Sequence, residues 1–152
     1  MRFDLSGEGQ GEWFRFFCST VKENGDVVFL EPEADAGRVR LRIADTGVIE
    51  GIRAQTRKTV KEFVHNPRTR GMERVEYEDQ TPEQKKKEME LIWDHAIMEW
   101  EGIQDKNGNE IPCTVENKLK LMNVPQFARF VGRGFQIISS ANAQGLEDAG
   151  KN

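Results

Sequence analysis

A chain of 152 residues with 37% apolar residues can bury one substantial core but hardly two. Its 22 Lys and Arg against 26 Asp and Glu leave a net charge of -4, which argues against a general nucleic-acid binder, because phosphate contacts call for a basic surplus. No apolar run approaches the roughly 20 residues of a membrane span, and Met1-Arg2-Phe3-Asp4 lacks the apolar core of a secretory leader, so a cytoplasmic protein is expected.

After a glycine-rich lead, Glu12 to Val21 and Asp26 to Leu30 are rich in aromatic and β-branched residues. The Asn24-Gly25 pair between them favours positive φ, which predicts a β-hairpin. Arg38-Val39-Arg40-Leu41-Arg42-Ile43 alternates strictly, so Val39, Leu41 and Ile43 are expected on a buried face with the arginines opposite. Ile49, Ile52, Val60, Phe63 and Val64 then fall near helical intervals, predicting a helix over 46–64 that Asn66-Pro67 stops. A short alternating run from Met72 to Glu78 offers an edge strand. Thr81-Pro82-Glu83-Gln84 carries the signals of a helix start, and Met89, Ile92, Trp93, Ala96, Ile97 and Trp100 share one helical face until Gly102 ends it. Asp105-Lys106-Asn107-Gly108 is a turn. Thr114 caps a short helix to about Met122, and Pro125 opens another carrying Phe127, Phe130, Val131, Ile137 and Ile138.

These elements give an α+β fold: a small N-terminal antiparallel sheet of three or four strands, over about 12–43, followed by a helical C-terminal half over about 46–140. Together they form a single domain, 1–140, and the polar stretch 141–152 is a flexible tail. Charge is uneven along the chain: 1–37 carries -5, 38–74 +6, 75–116 -8 and 117–152 +3. Such blocks suit surfaces that pair with opposite charge.

Motifs of known chemistry are missing. There is no G-x-S-x-G, no G-x-x-x-x-G-K-[ST], no H-E-x-x-H and no dinucleotide fingerprint. The glycines at 7, 9 and 11 precede the first strand, where a phosphate cradle would follow one. Cys18, Cys113, His65 and His95 lack the close pairing of a zinc site, and the two cysteines read as small apolar residues. Nothing marks catalytic, metal or cofactor residues, so a protein-binding role is expected. The basic stretch from Arg53 to Arg74 keeps a small nucleic-acid-binding regulator as an alternative, set against a solvated surface beside Glu50, Glu62 and Glu73.

The segment Ile97-x-x-Trp100-Glu101-Gly102-Ile103-x-Asp105-x-x-Gly108-x-x-Ile111-Pro112-Cys113-Thr114-x-Glu116-Asn117, with Leu121-Met122 and Pro125-x-Phe127 after it, resembles the tail assembly chaperones of long-tailed bacteriophages and prophages. The resemblance implies a protein of the bacterial host cytoplasm that binds the tape measure protein, keeps that long helical chain soluble and helps tail tube protein polymerise around it. Another structural or morphogenesis protein, such as a tail completion or connector component, is the alternative. Trp93, Trp100, Phe127 and Phe130 are the candidate partner contacts, on condition that they are exposed; for the tryptophans the competing reading is core filling. Self-association is a further expectation. The ending Gly150-Lys151-Asn152 is compatible with the frameshift site that the resemblance implies.

Overall fold

The computed structural model describes residues 11–150, with side chains as far as Ala141. It is mixed α+β, with antiparallel strands in the N-terminal part and helices mostly in the C-terminal half. The chain forms two compact units, one made of residues up to Ala44 and from Trp93 onward, the other of Asp45–Ile92.

In the first unit, β1 (Glu12–Arg15), β4 (Arg38–Leu41) and β7 (Ile97–Glu101) form an antiparallel sheet in the order β1-β4-β7. β2 (Ser19–Val21) and β3 (Val27–Phe29) form a separate hairpin. The Asn24-Gly25 turn is where the sequence puts it, with Gly25 at φ 90. The strand before it is split: Glu12–Arg15 pairs with β4, and only Ser19–Val21 joins the hairpin.

Val39 and Leu41 are completely buried, as alternation requires, but β4 stops at Leu41 and Ile43 is exposed. On the other face Arg38 and Arg40 meet Glu101 (2.8 Å) and Glu99 (3.2 Å) across the ladder. α4 (Pro125–Gly150) lays Phe127, Phe130, Val131 and Ile138 against this sheet, joined by Ile97 and Trp100. Complete burial of Phe130 and Val131 contributes about 1.5–3 kcal/mol each. Gly134 permits the close approach, since a Cβ there would lie 2.6 Å from Leu41 Cδ1. Of the expected tail, the helical backbone continues to Gly150; its side chains beyond Ala141, and residues 151–152, lie outside the described residues.

In the second unit, α1 (Thr46–Thr56) begins on an Asp45 cap and ends well before the expected limit. The stretch read as its second half is a strand, β5 (Lys58–Asn66), paired over nine residues with β6 (Gly71–Asp79). Val60, Phe63 and Val64 fit helical spacing, but β-branched and aromatic residues also favour a pleated ribbon, and long-range pairing decides between the two. Asn66-Pro67 ends no helix. It opens the hairpin turn, where the Asn66 side chain accepts from the Arg68 N–H at 2.9 Å.

α2 (Pro82–Ala96) starts on the expected capping box: Thr81 N–H donates to Gln84 Oε1 (2.9 Å) and Gln84 N–H to Thr81 Oγ1 (3.1 Å). It stops five residues earlier than predicted, and the chain turns directly into β7. The ladder skips Met98: Arg40 pairs with Glu99 and Leu41 with Ile97. That irregularity brings Ile97 and Trp100, three residues apart, to the same buried face, which imitates helical spacing. No described helix is long and apolar enough to cross a membrane.

Candidate functional site

The segment from Trp100 to Asn117 builds a framework. Trp100 Nε1–H donates to the Ile111 carbonyl at 2.6 Å, and Ile111 N–H to the Ile103 carbonyl at 2.8 Å. Between them the Asp105 carboxylate accepts from the N–H groups of Asn107 (2.8 Å) and Asn109 (3.0 Å), and Gly108 takes φ 81 to close the turn. Thr114 caps α3 (Val115–Met122) by accepting from Asn117 N–H, while the Asn117 side-chain amide reaches back to the Pro112 carbonyl at 2.9 Å. Lys118 is buried and donates to the Asp94 carboxylate (2.9 Å) and carbonyl (3.1 Å). Cys113 sits half-buried near the Met98 carbonyl, and burial pushes its thiol up.

Gly102 and Gly37 lie back to back where β7 ends and β4 begins. Gly102 has φ 71, and a Cβ on Gly37 would come within 2.5 Å of the Gly102 oxygen. Next to this junction the chain between β1 and β2 presents Phe16 and Phe17. The Phe16 ring packs on Phe127 and Phe130 with centroids 6.4 and 5.1 Å away, and Phe17 packs edge-on to Phe29 and Phe130. The hairpin is fastened to α4 through Gln126, whose amide accepts from Ser19 N–H and donates to the Ser19 carbonyl, both at 2.8 Å.

Two cavities of about 230 Å³ each share Phe16 as a wall. One is mainly apolar and is lined by Gly37, Ile103, Leu121, Val124 and Phe127. The other has Phe17, Cys18 and Leu30 with a rim of Glu31, Glu33 and Asp35. Arg15 shapes that rim by donating to the Glu33 (2.6 Å) and Ala34 (3.1 Å) carbonyls. Leu30 and Val124 are exposed, at 46% and 45%. The pair offers burial to apolar side chains beside a cluster of carboxylates.

The four candidate contacts are placed otherwise. Trp100, Phe127 and Phe130 are buried in the core and do not meet the condition of exposure; Trp93 is half-buried, stacked on Phe135 at 6.2 Å. Phe127 lines the apolar cavity. Phe16, Leu30 and Val124 were not singled out from the sequence. A signal for Phe16 exists, since Phe16-Phe17 puts two large apolar residues side by side and breaks strand alternation, leaving one to face somewhere other than the sheet core.

The basic stretch from Arg53 to Arg74 is spread over α1 and both strands of the ribbon, and several of its charges face acids. Arg57 binds Glu88 (2.9 Å) and Glu78 (3.0 Å), and Lys61 and Arg74 both reach Glu76. Glu88 is buried, and its hydrogen bond from Arg57 holds its carboxyl below the usual range despite that burial. Among the described residues no three His, Cys, Asp or Glu gather as a metal site.

Residues 52–152 match a family model described as YdaY prophage protein. No curated protein and no solved structure matches the chain.

Proposed function

The chain belongs to the YdaY prophage protein family, and from that premise we propose that it is a tail assembly chaperone that holds the tape measure protein soluble while tail tube protein assembles around it. The observation that carries this reading is the pair of cavities walled by Phe16. A long amphipathic helix aggregates through its apolar stripe unless that stripe is covered. A groove that accepts apolar side chains covers it without requiring a fixed sequence. The framework segment from Trp100 to Asn117, which resembles phage tail assembly chaperones, supplies Ile103 to the apolar cavity, and Leu121, Val124 and Phe127 follow it there. No covalent step is involved in this role.

The test is co-expression with a tape measure protein and recovery of a soluble complex. Val124→Glu and Leu30→Glu place a charge at exposed positions of the two cavities and leave the core alone. The expected result is loss of the soluble complex with an unchanged tryptophan spectrum of the chaperone. A complex that forms equally well with both variants, or none with any length of tape measure protein, would sink the proposal. Mass spectrometry of purified particles provides a second check: presence at stoichiometric level would instead make the protein a virion component.

A further inference from the structure

We infer that the protein self-associates through the free edge of β6, two copies joining their ribbons into one four-stranded antiparallel sheet across a twofold axis at Val75. The β5-β6 ribbon is a sheet of two nine-residue strands with no third strand among the described residues. A two-stranded ribbon is at best marginally stable in water. Here Phe63 (70%), Met72 (63%), Val64 and Tyr77 are all exposed along it.

The two edges differ in how they are guarded. β5 carries Lys58 and Lys61 and runs into Pro67, residues that discourage edge pairing, whereas β6 has neither lysine nor proline. β6 does carry four acids, Glu73, Glu76, Glu78 and Asp79, which makes its register decisive. In an antiparallel twofold pairing centred on Val75, all nine residues pair. Arg74 then faces Glu76 of the second copy, Glu73 faces Tyr77, Met72 faces Glu78 and Gly71 faces Asp79. Because β6 already uses one edge on β5, only registers two residues apart are open to it, and the neighbouring ones set Arg74 against itself, or Glu76 against itself and Glu73 against Asp79. The full-length register is therefore also the one that sets no like charges directly opposite one another. Because the contact is isologous, the Arg74–Glu76 pairing occurs twice, extending across the axis the contact these side chains already make within one chain at 3.3 Å. This association is independent of the chaperone reading, since it needs no other protein.

The full chain is examined by light scattering after gel filtration from about 1 µM to about 1 mM, the range of weak to moderate dimers. The expected mass rises from 17.4 kDa toward twice that value with concentration. Arg74→Glu and Glu76→Arg each place like charges opposite one another and should weaken the dimer by roughly tenfold or more. An equimolar mixture of the two variants should associate again, because every Glu at 74 then meets an Arg at 76. Far-ultraviolet circular dichroism establishes that each variant keeps its ribbon; if either does not, Val75→Lys, which sets two lysines on the axis, replaces it. A wild-type mass of 17.4 kDa at every concentration overturns the proposal. So do single variants that dimerise like wild type, or a mixture that stays monomeric.

Discussion

Replacing Gly37 and Gly132 by alanine in turn should move stability in opposite directions. A Cβ on Gly37 would lie 2.5 Å from the Gly102 oxygen, 2.7 Å from the Glu101 oxygen and 2.7 Å from the Gly102 carbonyl carbon. An ordinary carbon-to-oxygen approach is about 3.3 Å, so the ends of β4 and β7 must part by roughly 0.8 Å. All three obstacles are backbone atoms; the Arg38–Glu101 pairing holds β4 in register with β7, and the Phe16 N–H on the Gly37 carbonyl (2.7 Å) ties Gly37 to the end of β1. A clash that cannot be relieved by turning a side chain costs about 1–3 kcal/mol. At about 2–4 °C per kcal/mol for a chain of this size, the melting temperature of G37A should fall by about 2–12 °C. Gly132 lies in α4 with nothing near its would-be Cβ, so G132A gains roughly 1 kcal/mol of helix propensity and should melt about 2–4 °C higher. Trp13, Trp93 and Trp100 all belong to the first compact unit, so tryptophan fluorescence during urea or thermal unfolding reads the unit that holds both glycines. A G37A transition that coincides with wild type would refute the argument that the glycine pair sets the strand approach.

The second unit should be acid-sensitive through Glu88. The Arg57 hydrogen bond holds its folded pKa below that of the unfolded chain, so this bond stabilises fully above the unfolded pKa and is lost as pH falls through the folded one; Glu88→Gln should flatten this part of the profile, and an unchanged acid limb in urea titrations would contradict it. Tyr77, the single tyrosine, donates to Glu62 at 3.0 Å, which raises its pKa; Glu62→Gln should bring its ultraviolet titration back toward the ordinary value, and an unmoved curve would remove that hydrogen bond as the cause. Cys18 is exposed, whereas burial holds the Cys113 thiol up, so iodoacetamide should modify Cys18 first in the native protein, and equal rates by peptide mapping would count against the placement of Cys113.

Local rules read well where one interaction decides the outcome. Asn24-Gly25, the Thr81–Gln84 box, Asp105 to Gly108 and the Thr114 cap each bond within a few residues, and each stands where its sequence put it. Periodicity misled where pairing partners were distant. Ile97 and Trp100 share a face because the β4 ladder skips Met98, and no feature within α2 or β7 reports that β4 will be there. Lys58–Asn66 is a strand because Gly71–Asp79 pairs with it. The burial of Trp100, Phe127 and Phe130 was illegible for a related reason. Large aromatics mark core and interface alike, and only burial separates Phe130 in the core from Val124 at the surface.

The family-like segment is dense in groups that fix backbone geometry: the Gly102 and Gly108 turns, the Asp105 carboxylate, the Thr114–Asn117 cap and the Trp100 indole on the Ile111 carbonyl. None of these requires a partner to explain it. What they achieve is the placement of Ile103 and the end of α3 beside Phe16, so that a cavity remains between the sheet edge and the α3–α4 corner. Residues that would touch a bound helix, such as Leu30 and Val124, satisfy no such geometric demand, and exposed apolar positions tolerate exchange at small cost to stability. A framework defined by hydrogen bonds and a groove defined by replaceable apolar surface can thus vary independently. Under the proposed role, altering the groove changes which stripe is covered, whereas altering Asp105 or Thr114 removes the groove itself.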